Sequence, residues 1–373
     1  MNRPEITRSY PVYWIDESTV RIGAQQEVTK QLTDPAGELR VLLPLLDGTR
    51  TLEDVVRDAR TALPYLTAEQ IREGVSLLDS NGILEDAAAY DRLPKRLHAN
   101  QTFFAAASPN SASPGNFAQE KLRESHVVLF GLGGGGSACL PQLLALGLKK
   151  LTIVDADVVG MENLNRQTLY RTSDISRKKV AVAAEYCKSF APDTVVEGHD
   201  TWVDDVDWAV EASGGASCLL CTIDEPPFTA QRRVNAVAVR LGVPAVTLLS
   251  QHTRGRMFSV VPGASGCMDC LHIYDEINSN DFLPQFRALM NPSRHAATGV
   301  ISPHAQRLTS YGVDEVVRLI TGYAEPFAVA RQMEVDYLSG QIGTVMEWDV
   351  EPGCPTCGSA DPQYDYIFDV APL

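Results

Sequence analysis

Five glycines fill six positions in "GLGGGG", residues 131–136, directly behind the apolar run "HVVLF". Glycine tolerates positive φ and leaves its backbone N–H groups unshielded, so such a loop suits close approach by another group. Gly131, Gly133 and Gly136 satisfy GxGxxG between an expected strand and an expected helix. There the amides can point at phosphate oxygens, and the helix N-terminus adds partial positive charge. Gly134 belongs to the same cradle. Asp155 closes the next apolar run, 19 residues past Gly136, where a ribose-binding carboxylate belongs. Asp157 follows two residues later. The loop alone fits a dinucleotide, a nucleoside triphosphate or a ligand-free packing turn. Pro141 falls inside the expected helix, which predicts a kink or a late start there.

Around this loop strands and helices alternate. "KLTIVDAD", a helix near 178–190, "TVVEGHD", "CLLCTID", a helix near 229–241 and "PAVTLLS" follow in turn. That order predicts an α/β fold, a Rossmann-like doubly wound parallel sheet with helices on both faces. Three blocks are expected: an N-terminal module over 1–88, a linker or loop over 89–120 rich in Ala, Ser, Pro and Asn, and the α/β domain over 121–373. The formal net charge of −15 argues against a nucleic-acid partner, which needs a basic face. No apolar run approaches the ~20 residues of a membrane span, and no signal peptide is evident. A soluble cytoplasmic protein with reduced cysteines is the expectation.

A dehydrogenase needs no cation aimed at a terminal phosphate, whereas a nucleotidyl transferase must stabilise a departing pyrophosphate. In "ENLNRQ…SRKKV", Asn163 and Arg166 lie three apart and Lys179 lies thirteen beyond Arg166. Asp224 closes "LLCTID" at the mouth of the sheet, where a carboxylate can hold Mg²⁺ between phosphate oxygens. With the glycine loop, "DADVV…ENLNRQ", this lysine, and "CTID" followed by "RRVN", the chain over about 121–357 resembles the ThiF/MoeB/ubiquitin-activating superfamily of ATP-dependent adenylating enzymes. The resemblance implies that Asp155 binds the ribose, that Asn163, Arg166 and Lys179 contact the triphosphate, and that Asp224 binds Mg²⁺. It also implies a homodimer, in which an arginine of an upstream Arg-Gln pair reaches the partner's phosphates. Here the match is "ANQTFF", with Asn100 in the arginine's place; Arg92 or Arg96 is the candidate substitute.

Cys267-Met-Asp-Cys270 and Cys354-Pro-Thr-Cys357 supply four thiolates, enough for a structural Zn²⁺ clamp. Four unrelated thiols or a disulfide are the bland alternatives. Relatives that form a thioester use a further cysteine, some in a crossover loop. The corresponding segment here, about 275–300, has none. Cys139, Cys187, Cys218 and Cys221 read as small buried apolar residues. Direct attack on the adenylate, with no covalent enzyme intermediate, is therefore expected. Arg294 and His295 in that loop are candidate substrate contacts.

The N-terminal module has short strands and three helices, with Thr51 as an N-cap and Thr67 to Gln70 as a capping box. "LLPLLDGTRTLEDVVRDARTALPYLTAEQIREGVSLLDSNGIL" resembles PqqD-like winged-helix domains that hold leader peptides by strand addition. DNA binding is the rival, but the last helix offers only Arg72 beside Glu69, Glu73 and Asp79. Together these resemblances imply an enzyme that adenylates a carboxylate of a ribosomally made precursor peptide, as the microcin C and pantocin A enzymes do. Two alternatives remain: an activator of a ubiquitin-like sulfur-carrier protein, and a catalytically silent leader-docking protein.

Overall fold

The computed structural model describes residues 1–26, 29–290 and 299–373. The chain divides into two compact units: Met1–Lys121 with Thr321–Ala324, and Leu122–Ile320 with Glu325–Leu373.

In the first unit, β1 (Pro4–Ile6) pairs antiparallel with β5 (Leu84–Asp86). β2 (Val12–Trp14), β3 (Thr19–Ile22) and β4 (Lys30–Thr33) form a three-stranded antiparallel sheet in that order. Helices Leu52–Ala62 and Ala68–Ser80 each open on a reciprocal capping box, Thr51 with Asp54 and Thr67 with Gln70. Such a box satisfies two of the amides that a helix start leaves unpaired. Ile71, Val75 and Leu78 recur at helical spacing and are buried with Val55, Val56 and Ala59 of the other helix and with Val20 and Ile22 of β3. Each such side chain contributes about 1.5–3 kcal/mol when removed from water. Segment 89–120, expected as linker or loop, carries helix His98–Ala106, the 3₁₀ turn Pro114–Phe117 and the start of helix Ala118–Glu124. Phe104, Ala105 and Ala118 are buried there, a pattern that its Ser- and Pro-rich composition conceals.

Glu85 of β5 gives this unit a pH dependence. Its carboxylate accepts from the Arg8 N–H at 2.8 Å and the Tyr90 hydroxyl at 2.9 Å. Burial, which those bonds only partly offset, pushes its pKa from 4.5 to about 7. The folded state then binds more protons than the unfolded state between those values, so stability falls as pH rises through that window. The shift corresponds to roughly 3 kcal/mol. Urea unfolding at pH 5 and pH 8 should show this unit losing stability at the higher pH, and Glu85→Gln should flatten the difference. An equal midpoint for wild type at both values would contradict it.

The second unit is built on one eight-stranded sheet. Its strands are β6 (His126–Phe130), β7 (Lys150–Val154), β8 (Val195–His199), β9 (Cys218–Cys221), β10 (Ala245–Gln251), β11 (Arg254–Val260), β12 (Arg331–Asp336) and β13 (Ile342–Glu347). Their order is β13-β12-β11-β10-β9-β6-β7-β8. β8, β7, β6, β9 and β10 are parallel, as expected. β11, β12 and β13 extend the sheet antiparallel. Every residue of β6 and β9 is buried, which requires cover on both faces. Val128, Phe130, Leu219 and Cys221 line one of those faces beneath helices Val206–Ala212 and Thr229–Leu241. Helix Gly136–Ala145 runs through Pro141 and does not start late. The described part of the expected crossover loop holds the end of helix Met268–Asn278 and helix Phe282–Leu289, joined by a short turn. Arg294 and His295 lie outside the described residues. Among the described residues no helix is long and apolar enough to cross a membrane.

Candidate active site

The glycine loop leaves β6, which has β7 on one side and β9 on the other. Connections depart in opposite directions there, so a crevice opens beyond the strands' carboxyl ends. Gly131 turns out of β6 at φ +93°. A Cβ on Gly136 would stand 1.8 Å from the Gly131 carbonyl oxygen, so no larger residue fits this turn. Three side chains fix the loop. The Thr222 hydroxyl lies 3.0 Å from the Phe130 carbonyl and 3.1 Å from that of Gly131. The Tyr170 hydroxyl donates to the Leu132 carbonyl at 2.8 Å. Asp155, at the end of β7, accepts from the N–H groups of Leu132 at 2.6 Å and Asp157 at 2.8 Å. Burial raises the pKa of the Asp155 carboxyl, while the nearby Lys179 charge lowers it.

Two adjoining cavities occupy the crevice. The larger, about 570 Å³, is bordered by Gly131, Gly133, Asp155 and Asp157 and reaches Trp202 and Arg233. The smaller, about 210 Å³, is bordered by Gly133, Gly134, Asn163, Arg166, Gln167 and Lys179, and extends to Ser250 and Thr309. Asp224 lines both. The sequence-predicted set is thus brought to one place.

The individual side chains differ in how they are held. Lys179 opens helix Lys179–Phe190. Its side chain is only 5% exposed, and its Nζ lies 2.8 Å from Asp157, itself 46% exposed. Asn163 uses its Oδ1 to accept the Gly160 N–H at 2.9 Å, which shapes the turn carrying Arg166. The Arg166 guanidinium donates to the Glu162 carbonyl at 3.2 Å and to Asn165 Oδ1 at 2.9 Å. Gly134 leaves room for the arginine stem, since a Cβ there would touch Arg166 Cδ at 3.4 Å. Asp224 is exposed and makes no hydrogen bond or ion pair to a described residue. A free carboxylate beside a phosphate cradle suits Mg²⁺, which takes one or two carboxylates and keeps most of its water. Cys139, Cys187, Cys218 and Cys221 are buried, and none lines either cavity. Burial pushes the Cys187 and Cys221 thiols up to about 12. Asn100, Arg92 and Arg96 belong to the first unit.

Sequence reasoning missed Gln167, Tyr170 and Thr222. Gln167 directly follows Arg166 and Thr222 sits inside "CTID", so both lay within quoted motifs without an assigned task. Gln167 is buried, and its Oε1 has no hydrogen-bond partner among the described residues.

The four CxxC sulfurs all lie within 4.8 Å of one another. Cys267 is 4.0 Å from Cys270 and 3.7 Å from Cys354, and Cys270 is 3.4 Å from Cys357. Sulfurs placed ~2.3 Å from a tetrahedral Zn²⁺ stand ~3.8 Å apart, so the cluster is compatible with zinc. The Glu351 N–H donates to Cys270 Sγ, and the Trp348 indole donates to the Cys267 carbonyl. Between the cysteines, Asp269 forms a buried two-point ion pair with Arg232, at 2.8 and 3.0 Å. Asn235 Oδ1 accepts the Met268 N–H at 2.9 Å. The "RRVN" motif thus fastens the cysteine knuckle to the helix behind the nucleotide crevice.

A glycine cradle at the switch point of a doubly wound sheet, with converging lysine, arginine and aspartate, defines a nucleotide-binding α/β protein. Residues 102–356 match the ThiF family, and the chain belongs to it. It is an ATP-dependent adenylating enzyme, and the dehydrogenase reading of the glycine loop falls away. The sulfur carrier protein ThiS adenylyltransferase of Bacillus subtilis (strain 168) is 28% identical over 269 residues, covering 71% of this chain and 72% of that protein. Among solved structures, E. coli MccB with ATP has a TM-score of 0.71 at 16% identity, over 95% of this chain and 99% of that one. The microcin C7 biosynthetic enzyme MccB in complex with N-formylated MccA gives 0.72 at 16%, with the same coverages. PaaA gives 0.70 at 22%, over 92% and 99%. These structural likenesses are likenesses of fold.

Proposed function

We propose that this enzyme adenylates a carboxylate of a ribosomally made precursor peptide and that a nucleophile of the peptide then displaces AMP. One observation carries the reading. The fold likeness to MccB extends over 95% of the chain and so takes in the N-terminal unit. A peptide-bound MccB shares that whole plan. In this reading residues 1–88 are a PqqD-like module. The leader adds a strand to an exposed edge of the β2-β3-β4 sheet.

The chemistry follows from the crevice. The amides of Gly131, Gly133, Gly134 and Gly136 cradle phosphates, and Asp155 and Asp157 border the ribose. Asn163, Arg166 and Lys179 face the triphosphate. Asp224 would hold Mg²⁺, which would supply positive charge against the phosphates. The peptide carboxylate enters past Ser250 and Thr309 and attacks the α-phosphorus. An acyl–phosphate bond forms, the α–β phosphoanhydride breaks, and pyrophosphate leaves. With no thiol lining either cavity among the described residues, the acyl-adenylate is attacked directly. Cys267, Cys270, Cys354 and Cys357 would hold Zn²⁺, which would serve as a structural clamp. The enzyme works as a homodimer in the cytoplasm.

The 28% identity to the ThiS adenylyltransferase favours a second reading, activation of a ubiquitin-like sulfur-carrier protein. Pyrophosphate release separates the two. Turnover that requires a short leader-bearing peptide is the expected result. Turnover with a glycine-tailed carrier protein and none with peptides would overturn it.

A further inference from the structure

Beyond its cations the smaller cavity is bounded by Leu248, Val300, Ala305 and Leu308, with Ser250 and Thr309 among them. Such an uncharged wall suits an acyl group better than a phosphate. Its two hydroxyls are not equivalent. Thr309 is buried and already engaged: it donates to the Gln306 carbonyl at 3.0 Å and accepts an N–H of Gln142 at 3.3 Å. Ser250, at the end of β10, is partly exposed, and its Oγ lies 3.0 Å from the Tyr337 hydroxyl. Either oxygen could donate, but the surroundings decide. Tyr337 is 7% exposed, and among the described residues its hydroxyl has no other partner. Were Ser250 the donor, the buried phenol proton would be left without an acceptor, which is costly. The phenol therefore donates to Ser250 Oγ, and the serine proton is left to turn toward the cavity. The phenol is well held. Gly255 lacks the Cβ that would overlap its oxygen. The His304 imidazole stacks on its ring, with centroids 4.2 Å apart and planes 7° from parallel. Burial raises its pKa, so it keeps its proton at neutral pH.

We propose that Ser250 donates this hydrogen bond to the acyl carbonyl oxygen of the adenylate, and that Tyr337 is the positioning residue that aims it. The inference rests on the reading that a carboxylate is joined to AMP in this crevice. When a nucleophile of the peptide attacks, its bond to the acyl carbon forms and the carbonyl π electrons move onto the oxygen. Collapse restores the C=O bond and breaks the bond to the phosphate. AMP leaves, and the nucleophile's proton passes to water. Ser250 thus meets the oxygen on which charge develops, where a fixed donor is most effective.

Two stable probes test the contact without turnover. 5′-O-(N-acetylsulfamoyl)adenosine carries an acyl carbonyl in place of that of the adenylate, and 5′-O-sulfamoyladenosine lacks it. Calorimetry on the full chain gives the ratio of the two affinities. Ser250→Ala is expected to lower that ratio roughly fivefold, the effect of one net hydrogen bond, while the affinity for 5′-O-sulfamoyladenosine stays near wild type. Tyr337→Phe keeps the ring and the stacking on His304, so a packing role would leave the ratio untouched. A positioning role lowers it, and adds nothing further in the double variant with Ser250→Ala. An unchanged ratio in Ser250→Ala would overturn the assignment. Equal weakening of both probes would make Ser250 a nucleotide contact and would overturn it as well. A ratio lowered by Ser250→Ala but not by Tyr337→Phe would remove the role given to Tyr337. A wild-type protein that binds neither probe would instead remove the crevice reading on which the inference stands.

Discussion

Lys179→Ala is expected to lower the rate of adenylate formation by two to three orders of magnitude while changing ATP affinity much less. In the proposed reaction pyrophosphate departs from the smaller cavity, and Lys179, only 5% exposed, stands on that cavity's wall. Removing one preorganised group aimed at developing charge costs about 10²–10³ in rate. Arg166 cannot take over, because its guanidinium already donates to Glu162 and Asn165. The loss should not unfold the protein. The partner left behind, Asp157, is half-exposed and remains hydrated. ATP–pyrophosphate exchange in the presence of the peptide measures the step directly, and circular dichroism controls for folding. Exchange within about threefold of wild type would remove Lys179 from the chemistry. A parallel loss of ATP binding would make it a ground-state contact.

How much of this could be read beforehand depended on whether the signal was local. Asp155, Arg166, Lys179 and Asp224 stand at spacings the chain itself displays, and two of the parallel strands follow from apolar runs that lead into Asp155 and Asp224. The cysteine pairs are equally local, although 84 residues separate Cys270 from Cys354. What escaped was relational. β12 and β13 pair at the antiparallel edge of the sheet, and "RQMEVD" and "IGTVME" do not form continuous apolar runs. The helices in 89–120 escaped because Ser and Pro suggest a loop until Phe104 and Ala118 are seen buried. Tyr170 and Thr222 act through hydroxyls reaching carbonyls 38 and 91 or more residues away, which no spacing rule encodes. Arg233 reaches the Val203 carbonyl only because the loop after β8 and helix Thr229–Leu241 border one cavity.

Asp269→Ala is expected to be the most destabilising substitution in the second unit, by about 3–5 kcal/mol. Arg232 is 3% exposed and Asp269 is fully buried. Among the described residues, deleting the carboxylate leaves a buried guanidinium with the Ala371 carbonyl and the Phe368 ring, 4.1 Å away. It also takes the acceptor from the Thr356 hydroxyl, between the second pair of cysteines. Both knuckles of the sulfur cluster therefore loosen, and so does helix Thr229–Leu241, which follows the Asp224 loop. With the proposed zinc on these sulfurs, loss of metal, by mass spectrometry of the native protein, should accompany the fall in the unfolding midpoint. A buried ion pair need not itself be stabilising, because desolvation opposes the attraction. The double variant Arg232→Met with Asp269→Leu should accordingly recover much of the stability that the single variant loses. It should recover less of the metal affinity, since Thr356 still lacks its acceptor. A single variant as stable as wild type would show that Arg232 is solvated after all, and that the knuckle is held by its sulfurs alone.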